Sequence, residues 1–196
     1  KWIQSGAQIM KRVLLIILLH LSLFFIVFAY QAQADEKNWE ISKYEGQSYA
    51  LVSGEIQRTD KFSFVLSPED QCQEVSSMFS FFTWNNPGDF DQLIGRKVPI
   101  KLNNIETTAE VLTTFPYKEG LKVVFYFGTF PLKEYIYTMY KFYEEEGIYQ
   151  IQIVDGLNFV ASKYFDITEN NWKFDNLITS INDAFEICKN IKDLKI

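Results

Sequence analysis

The chain of 196 residues contains a single histidine, His20, and only two cysteines, Cys72 and Cys188. Ser-His-Asp and Cys-His catalytic designs require an imidazole, so they are excluded for the whole sequence after His20. A zinc site built from the usual His and Cys ligands is excluded for the same reason. No P-loop, dinucleotide-binding glycine fingerprint or lipase-type nucleophile elbow is present. The sequence therefore predicts no catalytic residue, no cofactor and no metal site of these kinds.

His20 lies inside a segment that has the three parts of a secretory signal peptide. Met10-Lys11-Arg12 is a short basic start, residues 13–28 are a run dominated by Leu, Ile, Val and Phe, and Ala32-Gln33-Ala34 is a small-x-small cleavage pattern. We expect cleavage after Ala34. The alternative is an uncleaved membrane anchor, because the apolar run approaches the length of about 20 residues that spans a bilayer.

Cleavage would divide the sequence into residues 1–34, which comprise upstream residues and the leader, and residues 35–196, which form one globular domain. It would also remove Lys1, Lys11 and Arg12, leaving 16 of the 19 basic residues against all 25 acidic ones, a formal net charge of −9. Such a surface repels phosphate backbones, so nucleic-acid binding is not expected. No stable membrane anchor would remain after cleavage.

The two cysteines are predicted to form a disulfide, because export places them in an oxidising compartment. Two separate buried thiols are the alternative. We expect a periplasmic location, with full secretion as the second option and membrane attachment if the leader is retained. No Asn-x-Ser/Thr glycosylation signal is present to favour a eukaryotic secretory protein.

Short runs of β character dominate the rest of the sequence, and they follow one another in hairpin order without regular helices between them. These runs cover residues 49–56, 61–66, 78–84, 97–102, 106–115, 121–127, 148–154 and 159–167. The last two are predicted to form a hairpin around Asp155-Gly156.

Two segments have helical spacing of apolar residues: residues 132–143, followed by three glutamates interpreted as a solvated loop, and residues 177–191. In the second, Cys188 falls on the apolar face, where it could meet Cys72. The predicted fold class is α+β: a curved, mostly antiparallel sheet of about seven strands, packed with an internal helix and a C-terminal helix.

Aromatic residues are the most suggestive positive feature, since the chain contains 18 Phe, 11 Tyr and 4 Trp. Many of them can fill a core, but a tyrosine hydroxyl requires a partner or water. Seven aromatic residues on and near the internal helix are therefore candidates for a groove: Tyr117, Tyr126, Tyr135, Tyr137, Tyr140, Phe142 and Tyr143. A Phe-rich core is the competing interpretation.

Carboxylates are the one catalytic class present in quantity, and a pair of them can hydrolyse a glycoside. Acids embedded in apolar runs are the candidates: Glu106, Glu110, Asp155 and Asp166. Oxygen ligands for calcium occur around Asp89 and Asp91, without the order of a true calcium loop. The sequence favours a non-enzymatic envelope protein that binds a protein partner or a small apolar ligand through an aromatic groove. The alternative is a carboxylate-only glycan hydrolase.

Overall fold

The computed structural model describes residues 38–191, and the predicted leader lies outside them. Nine strands form within this range: β1 Trp39–Tyr44, β2 Gln47–Ser53, β3 Lys61–Leu66, β4 Glu74–Thr83, β5 Lys97–Leu102, β6 Ile105–Tyr117, β7 Gly120–Pro131, β8 Tyr149–Ile153 and β9 Glu169–Trp172. The helices are α1 Leu132–Glu146, α2 Ala161–Tyr164 and α3 Leu177–Ile191, with short 3-10 helices at Pro68–Asp70 and Phe90–Leu93.

All nine strands belong to one antiparallel sheet with the order β1-β2-β3-β4-β7-β6-β5-β8-β9. The predicted α+β class with a curved antiparallel sheet is confirmed, whereas the predicted count of about seven strands is wrong. Strand β1 lies in residues 35–47, whose sequence indicates a lead-in strand or arm, and it pairs with β2 from Trp39 opposite Val52 to Tyr44 opposite Gln47. Three of its six residues, Glu40, Ser42 and Lys43, are polar, which suits an edge strand with one side facing water.

The predicted hairpin between residues 148–154 and 159–167 is also wrong, because its second strand is a different segment. The partner of β8 is β9, with Tyr149 opposite Trp172, and not the run at residues 159–167. That run instead contains α2, whose first N–H, on Ala161, donates to Asp155 Oδ1 at 2.8 Å. The run is apolar because Phe159 and Phe165 are buried, and a short apolar run does not by itself distinguish a strand from a helical turn.

Helix α1 continues through the three glutamates that were interpreted as a loop. It ends at Gly147, which has a φ of 70° and donates its N–H to the carbonyl of Tyr143 at 2.8 Å. A glycine in the left-handed conformation is the usual helix terminator. The glutamates are exposed on this last turn, so water screens their unfavourable interaction with the helix dipole.

Two β-bulges bend the sheet. One interrupts the pairing of β4 with β7 at Ser77 and Met78, and the other interrupts the pairing of β6 with β7 near Leu112. At the first bulge Gly128 has a φ of 147°, and a Cβ atom there would lie 2.9 Å from the ring of Phe130. Bulges increase local twist, so these two sites help the sheet curl around its buried face.

Aromatic rings fill the interior of the curled sheet. Phe62 on β3 is fully buried and lies 5.2 Å from Tyr149 on β8 and 6.0 Å from Trp172 on β9, measured between ring centroids. These contacts join strands that are distant in the sheet order. Helix α3 packs on β2, where the hydroxyl of Ser48 donates to the carbonyl of Ala184 at 2.7 Å.

The predicted disulfide between Cys72 and Cys188 is confirmed, and both residues are fully buried. Cys72 follows the first 3-10 helix, and Cys188 lies in the last turn of α3. The bond therefore fixes the end of α3 to the loop that leads into β4.

Candidate functional site

Helices α1 and α3 run side by side in opposite directions. The first N–H of α1, on Leu132, donates to the carbonyl of Gln73 at 2.8 Å, and Gln73 follows Cys72, whose disulfide holds the end of α3. At the other end of α1, the hydroxyl of Tyr143 donates to Asp175 Oδ1 at 3.2 Å, just before α3 begins. The start of α1 is thus anchored beside the end of α3.

A cavity of about 380 Å³ lies between these helices. We call it the helix groove. Its lining is mostly apolar and comprises Gln73, Leu132, Lys133, Ile136, Tyr137, Ile178, Ile181, Asn182 and Phe185. Ile136 and Ile181 are buried, whereas Tyr137 on α1 is 62% exposed and Ile178 on α3 is 43% exposed. Large apolar side chains therefore remain open to solvent on both walls.

The helical period explains why the groove exists. Tyr135, Ile136 and Tyr137 are consecutive, and successive residues of an α-helix are about 100° apart, so one core cannot cover all three side chains. Leu177 and Ile178 repeat the situation on α3: Leu177 is buried and Ile178 is exposed. Each helix thus has an apolar stripe too wide for the sheet to cover, and the two uncovered margins line one cavity.

A second, more polar depression of about 510 Å³ lies at the far end of α1. We call it the tyrosine cleft, and it is lined by Tyr140, Tyr143, Glu144, Gly147, Phe174, Asp175 and Asn176. The hydroxyl of Tyr140 donates to Glu144, which raises the pKa of that phenol. Burial, reinforced by the charge of Asp175, raises the pKa of Tyr143 to about 12. Both phenols are therefore neutral hydrogen-bond donors, and both already have a carboxylate partner.

The seven predicted groove residues do not lie in one site. Tyr137 alone lines the helix groove, and Tyr140 and Tyr143 line the tyrosine cleft. Tyr135 stacks on Phe130 at 4.3 Å and donates to Ser77 Oγ at 2.8 Å. Its burial raises the pKa of the phenol to about 12.

The other three predicted residues lie away from both depressions. Phe142 packs edge-on against Tyr149, with ring centroids 5.7 Å apart. Tyr126 lies on β7, and its hydroxyl forms a hydrogen bond with the hydroxyl of Thr129. Tyr117 ends β6, with the ammonium of Lys122 4.6 Å from its ring centroid. The amphipathic pattern of this helix did not indicate which of its faces remains open.

Most of the helix-groove lining was not predicted as a site. The helical spacing of residues 177–191 places Ile178, Ile181 and Phe185 on the apolar face that is expected to meet the core, and no sequence pattern singles out Gln73, Lys133 or Asn182. A usable signal was present, because Leu177 and Ile178 are adjacent large apolar residues on one helix. The antiparallel placement of α1 against α3 was not readable from either helix alone.

The candidate catalytic acids lie at separate surface positions. Glu106 and Glu110 face Lys101 and Lys97, their register partners on β5. The side chain of Asp155 accepts the N–H at the start of α2, and Asp166 Oδ1 accepts the backbone N–H of Trp84 at 3.1 Å. None of the four lines the helix groove or the tyrosine cleft.

The candidate calcium ligand Asp89 already has partners. It forms a salt bridge with Lys163 and accepts a hydrogen bond from the hydroxyl of Tyr164 at 3.2 Å. The bond to Lys163 lowers the pKa of this carboxyl group. Within residues 38–191, no three carboxylate, imidazole or thiol groups are arranged to hold a metal ion.

Asp60 is a buried acid that the sequence did not single out. Its carboxylate accepts the backbone N–H of Phe82 at 2.7 Å and Nδ2 of Asn170, also at 2.7 Å. Burial raises its pKa to about 6, although the hydrogen bonds oppose the shift. Asn170 lies on β9, so this cluster joins the loop between β2 and β3 to the far edge of the sheet.

No family model, no curated protein and no solved structure matches the chain. The helix groove and the tyrosine cleft are therefore interpreted from their own geometry.

Among residues 38–191, no helix is both long and apolar enough to cross a membrane.

Proposed function

We propose that this is a non-enzymatic binding protein that holds a small apolar ligand in the helix groove. The observation that carries the proposal is the exposure of Tyr137 and Ile178 on opposite walls of one apolar cavity. Removal of exposed apolar surface from water is favourable by about 25 cal/mol for each Å² buried. A ligand that covers both side chains would gain this stabilisation without rearrangement of the core.

The dimensions of the cavity support a small ligand. Its volume of about 380 Å³ falls in the range of roughly 300–1,000 Å³ that is typical of small-molecule sites. Such sites are mostly apolar, with a few polar groups that orient the ligand. Gln73, Lys133 and Asn182 supply such groups in the helix groove.

Binding of 1-octanol, followed by NMR titration, tests the proposal with matched variants. Tyr137→Ser and Ile178→Ser should each raise the dissociation constant roughly tenfold, equivalent to about 1.4 kcal/mol of lost contact. Tyr44→Ser and Ile94→Ser are the controls, because Tyr44 is 64% and Ile94 is 45% exposed at other positions. Absence of binding, or equal losses in the control variants, would reject the groove as the site.

A protein partner is the competing occupant and would give a different result. In that case 1-octanol would not bind the isolated chain, and the Tyr137 and Ile178 variants would instead lose a complex seen by crosslinking in the native compartment. The carboxylate hydrolase is not proposed, because its four candidate acids occupy separate surface positions.

We further propose that the protein works in the periplasm, with secretion as the alternative. The disulfide between Cys72 and Cys188 supports an oxidising compartment. Intact-mass measurement after osmotic release should find a chain that begins at Asp35. A longer chain retained in the membrane fraction would contradict both the location and the cleavage.

A further inference from the structure

We propose that the helix groove selects amphiphiles with an anionic headgroup, and that Lys133 provides the selecting charge. This inference rests on the proposed function, because it names the chemical class of the ligand in the same groove. The ligand would combine an apolar body with a carboxylate or a similar anion at one end.

The charge of the lining favours an anion. Lys133 is the one charged residue in it, and the remaining polar groups are the neutral amides of Gln73 and Asn182. Within the described part of the chain, Lys133 forms no salt bridge. The ammonium is therefore available at the groove of a protein that is otherwise acidic, with 25 acidic and 19 basic residues.

The one charged side chain of the lining lies toward one end of the groove. Lys133 and Gln73 lie at the start of α1, whereas Tyr137 follows Lys133 by one helical turn, about 6 Å along the axis. Because the helices are antiparallel, Ile178 near the start of α3 lies toward the Tyr137 end. A headgroup at Lys133 would thus leave its apolar chain over Ile136 and Ile181.

The headgroup end of the groove is also the more firmly held. The disulfide fixes α3 there, and the bond from Leu132 N–H to the carbonyl of Gln73 fixes α1. A fixed end suits recognition of a charged group, because the backbone segments that carry Lys133 and Gln73 keep their spacing before the ligand arrives.

The expected selectivity is modest because Lys133 is exposed to water. Exposed ion pairs of this kind change an equilibrium constant by about two- to fivefold. Selection should weaken at high salt, since the Debye length falls from about 10 Å at 0.1 M to about 3 Å at 1 M. The apolar chain should still provide most of the affinity, about fourfold for each buried methylene.

Three probes with the same alkyl chain separate headgroup from chain: octanoate, 1-octanol and octyltrimethylammonium, each titrated at neutral pH and low salt. Octanoate should bind two- to fivefold more tightly than 1-octanol, and the ammonium compound more weakly than either. Lys133→Met retains the apolar stem and should abolish the preference. Lys97→Met removes the same charge at an exposed position on β5, and this variant should retain the preference for octanoate.

The outcomes separate this inference from the proposed function. Equal binding of octanoate and 1-octanol, or a preference that survives in Lys133→Met, would overturn the assignment of Lys133 and leave the groove as an apolar site. Failure of all three probes to bind would overturn both. Circular dichroism of each variant establishes that the fold is retained.

Discussion

Asp60 connects three parts of the chain through one buried carboxylate. Gln57 approaches it within the same loop, Phe82 from the end of β4, and Asn170 from β9. The ammonium of Lys122 on β7 is the charged group that favours its ionised form. Burial outweighs these contacts and raises its pKa to about 6, so the native state binds the Asp60 proton more tightly than the unfolded chain does.

The sign of the resulting pH dependence follows from linkage. A native pKa of about 6 against an ordinary value of 3.8 means that this group stabilises the fold below pH 4 and that the contribution is lost as the pH rises through 6. The difference is on the order of 3 kcal/mol. Urea unfolding should therefore show that wild type loses stability relative to Asp60→Asn between pH 4 and pH 7.

Asp91→Asn is the control for this measurement, because Asp91 is exposed. A pH trend of the same size in both comparisons would show that Asp60 is not its source.

Tyr137 and Phe142 lie on the same helix in opposite environments. Tyr137→Ala should change the free energy of unfolding by less than about 0.5 kcal/mol, because the side chain is 62% exposed. Phe142→Ala should destabilise the protein by about 1–3 kcal/mol, since its half-buried ring packs on Tyr149. Thermal unfolding of both variants checks the difference, and equal effects would contradict the assignment of the two faces of α1.

At the scale of the element, most strand runs before residue 132 were readable from the sequence through alternation or β-rich composition, and residues 78–84 through apolar side chains on both faces. Strand β1 was indicated only as a lead-in strand or arm, and strand β9 was not predicted, since it has only four residues, Glu169–Trp172. The disulfide was predictable from export and from the apolar face of α3. Asp60 was not, because its essential partner Asn170 lies 110 residues away.

The aromatic contacts of β3 make that strand the centre of the core. Phe62 touches the rings of Phe64, Tyr149, Trp172 and Phe174. Phe62→Ala should destabilise the fold by about 3–5 kcal/mol, through lost contacts and the cavity that remains.

Phe115→Ala is the matched control, because Phe115 is 40% exposed on β6. Chemical unfolding should place the two variants several kcal/mol apart. Similar midpoints would mean that β3 does not carry the packing assigned to it.

At the scale of the whole molecule, the curled sheet approaches closure. The backbone N–H of Glu55, after β2, donates to the carbonyl of Asn171 on the edge strand β9 at 2.8 Å. The side chain of Asn170 accepts the N–H of Ile56 and donates to the carbonyl of Gln57. The two halves of the sheet are thus joined by a few polar contacts beside the aromatic core.

The disulfide spans a sequence separation of 116 residues, and the loop-entropy argument assigns about 4.7 kcal/mol to a cross-link across roughly 100 residues. The double variant Cys72→Ala and Cys188→Ala should therefore lose up to this amount in urea unfolding. It should also bind 1-octanol more weakly, because the end of α3 is no longer fixed beside α1. Unchanged binding in a folded double variant would show that the helices hold the groove without the cross-link.

The position of the two cysteines also sets an order of events during synthesis. Cys72 precedes all of β4 to β9, and its partner is made only when translation reaches residue 188. Until then Cys72 is an unpaired thiol on an incomplete sheet, open to mixed disulfides with an oxidant in an exporting cell. Under the periplasmic location proposed above, formation of the native cross-link would report that the chain has been delivered as far as its last helix, and a trapped Cys72 adduct would mark molecules whose export stalled before that point.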